Sequence, residues 1–135
     1  MTLLEMLRGQ PGAPAVIVPG GPAVTYASLS RQVERLAGQF AALGAGPGDR
    51  VALALPNGIE VIVALLAAAM AGTAAPMNPH YKREEFRFYL NDTGAKMLLV
   101  PRGGGAEARQ AAGEGVMVAE LETDASGEVR VPGAG

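Results

Sequence analysis

The chain has 135 residues, a formal net charge of -2 at pH 7 and no cysteine; 49% of its residues are hydrophobic and 18% are charged. This composition is typical of a folded domain. The charge gives no electrostatic reason for binding nucleic acid or acidic membranes. The lack of cysteine excludes disulfides, thiolate metal sites and a cysteine nucleophile. The longest apolar run, Val61 to Ala71, is too short for a membrane span, so we expect a cytoplasmic protein.

The first predicted elements are a β-hairpin and an amphipathic helix. Apolar residues 15–18 and 23–25 flank the turn Pro19-Gly20-Gly21-Pro22, a hairpin pattern. The helix is predicted from apolar residues spaced three or four apart, namely Leu29, Val33, Leu36, Phe40 and Leu43. Its polar face is predicted to carry Arg31, Glu34, Arg35 and Gln39. Thr25 or Ser28 can cap its start, and Gly44 can end it.

Strands and helices then alternate along the chain. Strands are predicted over 51–55, 73–77, 96–100 and 116–119, and helices over 59–71, 82–91 and 106–112. The helix over 59–71 is apolar nearly all round and should be buried, with Asn57 and Glu60 forming a capping box at its start. This order predicts an α/β fold with a parallel, doubly wound sheet and flanking helices.

The tail differs from the rest of the chain. Residues 122–135 are polar and rich in glycine, so we expect an N-terminal α/β subdomain over 1–121 and a linker or lone hairpin over 122–135. No closing element follows the last strand, which suggests that residue 135 is not a natural end.

The residue inventory excludes several kinds of catalytic site. No serine lies in a G-x-S-x-G elbow, and His80, the single histidine, cannot form a two-histidine metal site. Glu84 and Glu85 are adjacent on a helix and point to different sides, so they are a poor acid–base pair. Gly103-Gly104-Gly105 matches no nucleotide-binding motif and is interpreted as a flexible turn. We therefore predict no catalytic residue and no metal ligand in this chain.

A cluster of cations remains as a candidate binding site. His80, Lys82 and Arg83 follow the carboxyl end of a predicted parallel strand and precede a helix. Helix N-termini favour anions because their N–H groups are unpaired and the helix dipole is positive there. The same residues also fit a solvent-exposed helix start, and this alternative stays open.

The ordered set of motifs from Pro14 to Val100 resembles the N-terminal subdomain of the adenylate-forming superfamily. This superfamily includes acyl-CoA synthetases, aryl-CoA ligases, luciferases and the adenylation domains of peptide synthetases. The shared order is T-Y-x-x-L, an amphipathic helix, G-x-x-x-G-D-R-V-A, a Pro-Asn turn, a buried helix and the strand end Pro76-Met77-Asn78-Pro79. The segment YKREEFRFYLNDTGAKMLLV is most similar to acid–CoA ligases, including the oxalate–CoA ligase branch.

The resemblance implies a parent enzyme that uses ATP, Mg²⁺ and coenzyme A to convert a carboxylic acid into an acyl-adenylate and then an acyl-CoA. The family's Ser/Thr- and Gly-rich phosphate loop does not occur in these 135 residues. We therefore expect an N-terminal fragment that binds none of these cofactors and is inactive alone, associating with the remainder of the enzyme or with itself. The alternative is a complete, non-catalytic binding or regulatory module. In some aryl-CoA ligases a basic residue in the matching turn touches the coenzyme A 3′-phosphate, which implies that role for Lys82 first, then His80 and Arg83.

Overall fold

The computed structural model describes residues 14–17 and 23–132 and has an α/β architecture. In this part of the chain the four helices are α1 (Tyr26–Ala42), α2 (Ile59–Ala71), α3 (Arg83–Thr93) and α4 (Ala106–Ala111). The seven strands are β1 (Pro14–Ile17), β2 (Ala23–Thr25), β3 (Arg50–Leu53), β4 (Thr73–Pro76), β5 (Met97–Pro101), β6 (Met117–Thr123) and β7 (Val129–Arg130). No helix within the described residues is long and apolar enough to cross a bilayer.

The main sheet comprises five of the described strands in the order β4-β3-β5-β6-β7. The first four of these run parallel, and β7 is antiparallel to β6. The predicted doubly wound α/β sheet with flanking helices is therefore confirmed, with one antiparallel edge strand added. The chain moves from β3 outward to β4 and then crosses back to β5 on the other side of β3, so the winding direction changes between β3 and β5.

The predicted hairpin and first helix are both present. Strands β1 and β2 pair antiparallel, with Val16 opposite Val24, while the turn predicted at residues 19–22 lies outside the described residues. Thr25 caps α1, because its Oγ1 accepts a hydrogen bond from the Ser28 N–H at 3.2 Å. An N-cap hydroxyl of this kind satisfies one of the donors that the first helical turn leaves unpaired.

The sheet separates two hydrophobic cores. Side chains alternate along each strand, so Val51 and Leu53 of β3 face α1 and α2, whereas Ala52 faces α3 and α4. The first core is filled by large residues such as Leu36 and Phe40 of α1. The second core is smaller and is filled by residues of α3, α4 and β5, namely Phe86, Leu90, Leu98, Val100 and Ala108. Burial on both faces explains why β3 and β5 are almost continuously apolar.

The β6–β7 hairpin is held against α1 by two glutamine side chains. Gln32 is 2% exposed; its Oε1 accepts from the Val129 N–H at 2.7 Å, and its Nε2 donates to the Gly127 carbonyl. Gln39 is 8% exposed, and its Oε1 accepts from the Val131 N–H at 3.2 Å. The prediction that Gln39 lies on the solvent-facing side of α1 was therefore wrong. The side-chain oxygens of both glutamines thus accept hydrogen bonds from backbone N–H groups at the outer edge of the sheet.

The tail is more ordered than a linker within the described residues. Strand β6 runs to Thr123, and β7 pairs with it through Glu122 opposite Arg130 and Thr123 opposite Val129. The hairpin is part of the main sheet, since Val129 also packs in the first core. The division of the chain at residue 122 stays a prediction.

The start of α2 differs from the predicted capping box. Its N-cap is Gly58, which makes no side-chain capping bond, and Glu60 instead accepts from the Thr123 hydroxyl at 2.8 Å. Gly58 has φ of 147°, a backbone conformation that favours glycine. Asn57 thus belongs to the turn before the cap, and Glu60 links α2 to the end of β6.

Candidate functional site: the carboxyl edge of the parallel strands

Three loops meet at the carboxyl edge of the sheet. Because β3, β4 and β5 are parallel, the segments that follow them, 54–58, 77–82 and 102–105, lie at the same edge. The Met77 N–H donates to the Leu53 carbonyl and the Ala54 N–H donates to the Leu99 carbonyl, both at the ends of paired strands. In doubly wound folds, ligands bind outside this edge, near the point where the winding direction changes.

The turn after β4 places His80 in solvent. The Asn78 Oδ1 accepts from the His80 N–H at 2.9 Å, and the Asn78 carbonyl accepts from the Tyr81 N–H at 3.2 Å. An asparagine that bonds its own backbone two residues on is a common way to fix such a turn. Tyr81 then stacks on Tyr89 with 5.0 Å between ring centroids, and the hydroxyl of Tyr89 raises the pKa of Tyr81.

Two carboxylates already occupy the N-terminus of α3. The Lys82 N–H donates to Glu85 Oε1 at 3.0 Å, and the Arg83 N–H donates to Glu107 Oε2 at 2.7 Å. Glu107 belongs to α4, which begins at the same edge of the sheet and on the same face as α3. A phosphate at this point would meet these carboxylates, so any attraction must come mainly from the side-chain charges of Lys82 and Arg83.

A shallow cleft lies between the starts of α3 and α4. Its volume is about 270 Å³, and it is lined by Lys82, Arg83, Glu84, Glu107 and Gln110. The structure thus brings two of the three predicted site residues, Lys82 and Arg83, to one cleft, and leaves His80 exposed in the preceding turn. No sequence pattern indicates that Glu107 belongs here, because it is 24 residues away from Arg83 and meets it only through the topology.

In the glycine-rich turn after β5, backbone N–H and carbonyl groups are hydrogen-bonded by side chains of this chain. Arg109 donates to the carbonyls of Gly104 at 2.6 Å and Pro101 at 3.0 Å, and to Glu120 Oε2 at 2.7 Å. Glu120 also accepts from the Gly103 N–H at 3.4 Å. Arg109 and, less strongly, the Gly103 N–H lower the pKa of Glu120. The turn is therefore held by internal hydrogen bonds and by the ion pair between Arg109 and Glu120.

The outer strands carry ion pairs on the same edge. Glu122 lies between Arg102 and Arg130, which lower its pKa through hydrogen bonds. Both Glu120 and Glu122 therefore have arginine partners, so neither offers a free set of oxygens to a cation. Within residues 14–17 and 23–132, no group of three histidine, aspartate or glutamate side chains is placed to hold a metal ion.

The fold is a doubly wound α/β sheet that carries two exposed cations, Lys82 and Arg83, at its carboxyl edge. A family model described as "AMP-binding enzyme" matches residues 4–131, and the chain belongs to this family. The predicted resemblance to adenylate-forming enzymes is confirmed. An oxalate–CoA ligase from Arabidopsis thaliana is 42% identical over 104 residues, which cover 76% of this chain and 20% of the relative. One from Saccharomyces cerevisiae is 44% identical over 101 residues, covering 66% of this chain and 18% of the relative.

Solved structures show the same fold. MatB from Rhodopseudomonas palustris, in its apo form, aligns with a TM-score of 0.74 and 28% identity over 93% of this chain and 26% of that one. A benzoate CoA ligase from Burkholderia xenovorans aligns with a TM-score of 0.79 over 89% of this chain and 25% of that one, and at 22% identity it supports the fold alone. The chain thus spans about a fifth of the length of the matched oxalate–CoA ligases.

Proposed function

We propose that this chain forms the N-terminal part of an ATP-dependent carboxylic acid–CoA ligase, which activates an acid as its acyl-adenylate and then transfers the acyl group to coenzyme A. The observation that carries the proposal is the 42% and 44% identity to two oxalate–CoA ligases over most of the chain. The proposal includes a cytoplasmic location and a carboxylic acid substrate, without specifying which acid.

The described residues fit a supporting role in that reaction. ATP, Mg²⁺ and coenzyme A would supply the activating phosphoanhydride, its charge neutralisation and the thiol acceptor. The carboxylates at the carboxyl edge fit Mg²⁺ poorly, because Glu85 and Glu107 accept backbone N–H groups and Glu120 pairs with Arg109. Electrostatic stabilisation of the transition state usually contributes more to such catalysis than any other effect. The Ser/Thr- and Gly-rich loop that would bind the transferring phosphates does not occur in these 135 residues. The 135-residue chain alone should therefore be inactive.

Lys82 is the best candidate for a contact with coenzyme A. Its side chain lines the cleft at the start of α3, beside Arg83, and both side chains are exposed. A phosphate at this point gains from the two positive charges but is opposed by Glu84 and Glu107, which line the same cleft. Exposed charge contacts are worth less than about 1 kcal/mol. Lys82, Arg83 and, more weakly, His80 therefore tune affinity for the 3′-phosphate and take no part in adenylation.

The contact is tested by Lys82→Ala in the full-length enzyme. The KM for coenzyme A should rise roughly two- to fivefold, as expected for one exposed charge contact, while acyl-adenylate formation should not change. The effect should disappear with dephospho-coenzyme A, which lacks the 3′-phosphate. Lys96→Ala is a matched control, since Lys96 precedes β5 at the opposite edge of the sheet. Slower adenylation, or equal weakening of both acceptors, would refute the contact.

The proposal as a whole is tested by carboxylate-dependent exchange of pyrophosphate into ATP. The full-length protein should catalyse this exchange, and the 135-residue chain should not exceed a blank. Reading the gene past the codon for Gly135 gives an independent check, because an in-frame Ser/Thr- and Gly-rich loop is expected. A stop codon at that point would favour the alternative, a non-catalytic module derived from such an enzyme.

A further inference from the structure

The turn between β3 and α2 exposes an asparagine–glycine pair. Asn57 and Gly58 both lie in solvent, whereas Leu55 and Ile59 on either side of the turn are buried. Neither the Asn57 side chain nor the Gly58 N–H makes a hydrogen bond to another of the described residues. A cleft of about 290 Å³ adjoins the pair and is lined by residues of the turn together with Glu60 and Thr123. Solvent therefore reaches the side-chain amide and the backbone N–H of the pair.

Gly58 leaves room for its nitrogen to approach the Asn57 side chain. Its φ of 147° lies in a region that other residues rarely adopt, and a Cβ at this position would meet no atom within 4 Å. Since glycine has no Cβ, no side chain shields its nitrogen from the amide carbon of the preceding residue. The turn thus places a backbone nitrogen without steric protection next to an exposed side-chain amide.

We propose that Asn57 is a site of spontaneous deamidation in the folded protein. The Gly58 nitrogen loses its proton to a solvent base and bonds to the Asn57 Cγ, while the bond from Cγ to Nδ2 breaks and ammonia leaves. The product is a cyclic succinimide, which water then opens. Cleavage between Cγ and the ring nitrogen gives aspartate, whereas cleavage between the main-chain carbonyl carbon and that nitrogen gives isoaspartate. The reaction needs only water and base, and it does not depend on the proposed function.

The other two asparagines of the chain provide internal controls. Asn78 precedes Pro79, which has no N–H, and the Asn78 Oδ1 already accepts from the His80 N–H at 2.9 Å. Asn91 lies inside α3, where the helical hydrogen bonds fix the backbone around it. In both places the nitrogen that would close the ring is missing or held. We therefore expect the reaction at Asn57 alone.

The two products change the turn in different ways. Aspartate adds a negative charge just before α2, where the helix dipole stabilises anions. Isoaspartate adds a methylene to the main chain between β3 and Ile59. Because Ile59 is buried in the first core, the start of α2 must then shift relative to β3. The charge and the shape of the carboxyl edge therefore change with the age of the protein.

Incubation of the full-length protein in heavy-oxygen water at mildly alkaline pH tests the proposal. Peptide mass spectrometry follows the conversion of amide to acid at each asparagine, and the incorporated oxygen marks products that form before digestion. In the native protein Asn57 should deamidate at a rate within about tenfold of the rate in urea, because an exposed turn offers little protection. Asn78 and Asn91 should stay unchanged, and an isoaspartyl methyltransferase should detect isoaspartate in the peptide that contains residue 57.

Three results would overturn the proposal. A native rate at Asn57 more than about tenfold below the rate in urea would show that the turn must open first. Equal native rates at Asn57 and Asn91 would show that the reaction does not depend on this turn. A product that is aspartate alone would show direct hydrolysis without ring closure. Asn57→Gln is the matched variant, since it keeps the amide but requires a larger ring, and residue 57 should then remain unmodified.

Discussion

Any side chain at Gly72, between α2 and β4, should destabilise the fold. A Cβ at this position would lie 2.5 Å from the Asp49 carbonyl oxygen and 2.9 Å from the Gly46 carbonyl oxygen. An ordinary carbon–oxygen contact is about 3.3 Å, so the backbone of this turn would have to move by roughly 0.8 Å. The Asp49 carbonyl also accepts from the Thr73 N–H at 2.8 Å, and this hydrogen bond at the start of β4 would be weakened by the movement.

Gly72→Ala should therefore lower the free energy of unfolding by about 2–4 kcal/mol, combining overpacking with the loss of one backbone hydrogen bond. Gly38→Ala is the matched control. Gly38 lies inside α1, is exposed, and a Cβ there would meet no atom within 4 Å. That change should raise the free energy of unfolding by about 0.5–1 kcal/mol, because alanine is the better helix former.

Urea unfolding of the two variants, followed by circular dichroism, measures both values. The midpoints should move in opposite directions relative to the original protein. A Gly72→Ala variant within about 0.5 kcal/mol of the original, the usual range for a neutral surface change, would show that the turn from Gly46 to Asp49 adapts easily and would refute the reasoning.

Three further predictions concern single side chains. Thr25→Ala should cost about 1 kcal/mol of stability by removing the cap of α1, and Thr25→Asn should restore most of it. Phe40→Ala should cost about 3–5 kcal/mol in the same unfolding assay, since Phe40 is 0% exposed in the first core. Arg31, with Arg35, lowers the pKa of Glu128. The contribution of Glu128 to stability is therefore present above the ordinary glutamate pKa of about 4.3 and is lost as the pH falls through the lower folded-state value. Glu128→Gln should weaken this acid dependence; an unchanged pH profile of unfolding would contradict it.

Local sequence patterns were sufficient for the main elements of the fold. The three- and four-residue spacing in α1 located its buried face, and Leu29, Leu36 and Phe40 are buried as expected. The strands predicted over 51–55 and 96–100 correspond to β3 and β5, whose side chains are buried in the two cores on either side of the sheet. These features depend on contacts between the chain and a nonspecific apolar interior, so residue type and spacing carry the information.

The features that sequence reasoning missed depend on particular distant partners. Gln39 has a polar side chain, and nothing local indicates that Val131 would provide its hydrogen bond. The same holds for Glu107, which occupies the N–H of Arg83 and weakens the simple expectation of an open anion site. For the candidate site, the sequence located Lys82 at a helix start, and only the fold revealed the opposing carboxylates in the same cleft.

The glutamine contacts between α1 and the β6–β7 hairpin have a consequence for how the protein is synthesised. Gln32 and Val129 are 97 residues apart, and Gln39 and Val131 are 92 residues apart. When α1 leaves the ribosome, the backbone groups that these two amides will bind have not yet been made. Closing so long a loop is slow and costs chain entropy before the contacts form. During translation α1 can therefore become helical early, but it can dock fully on the sheet only after β7 has emerged.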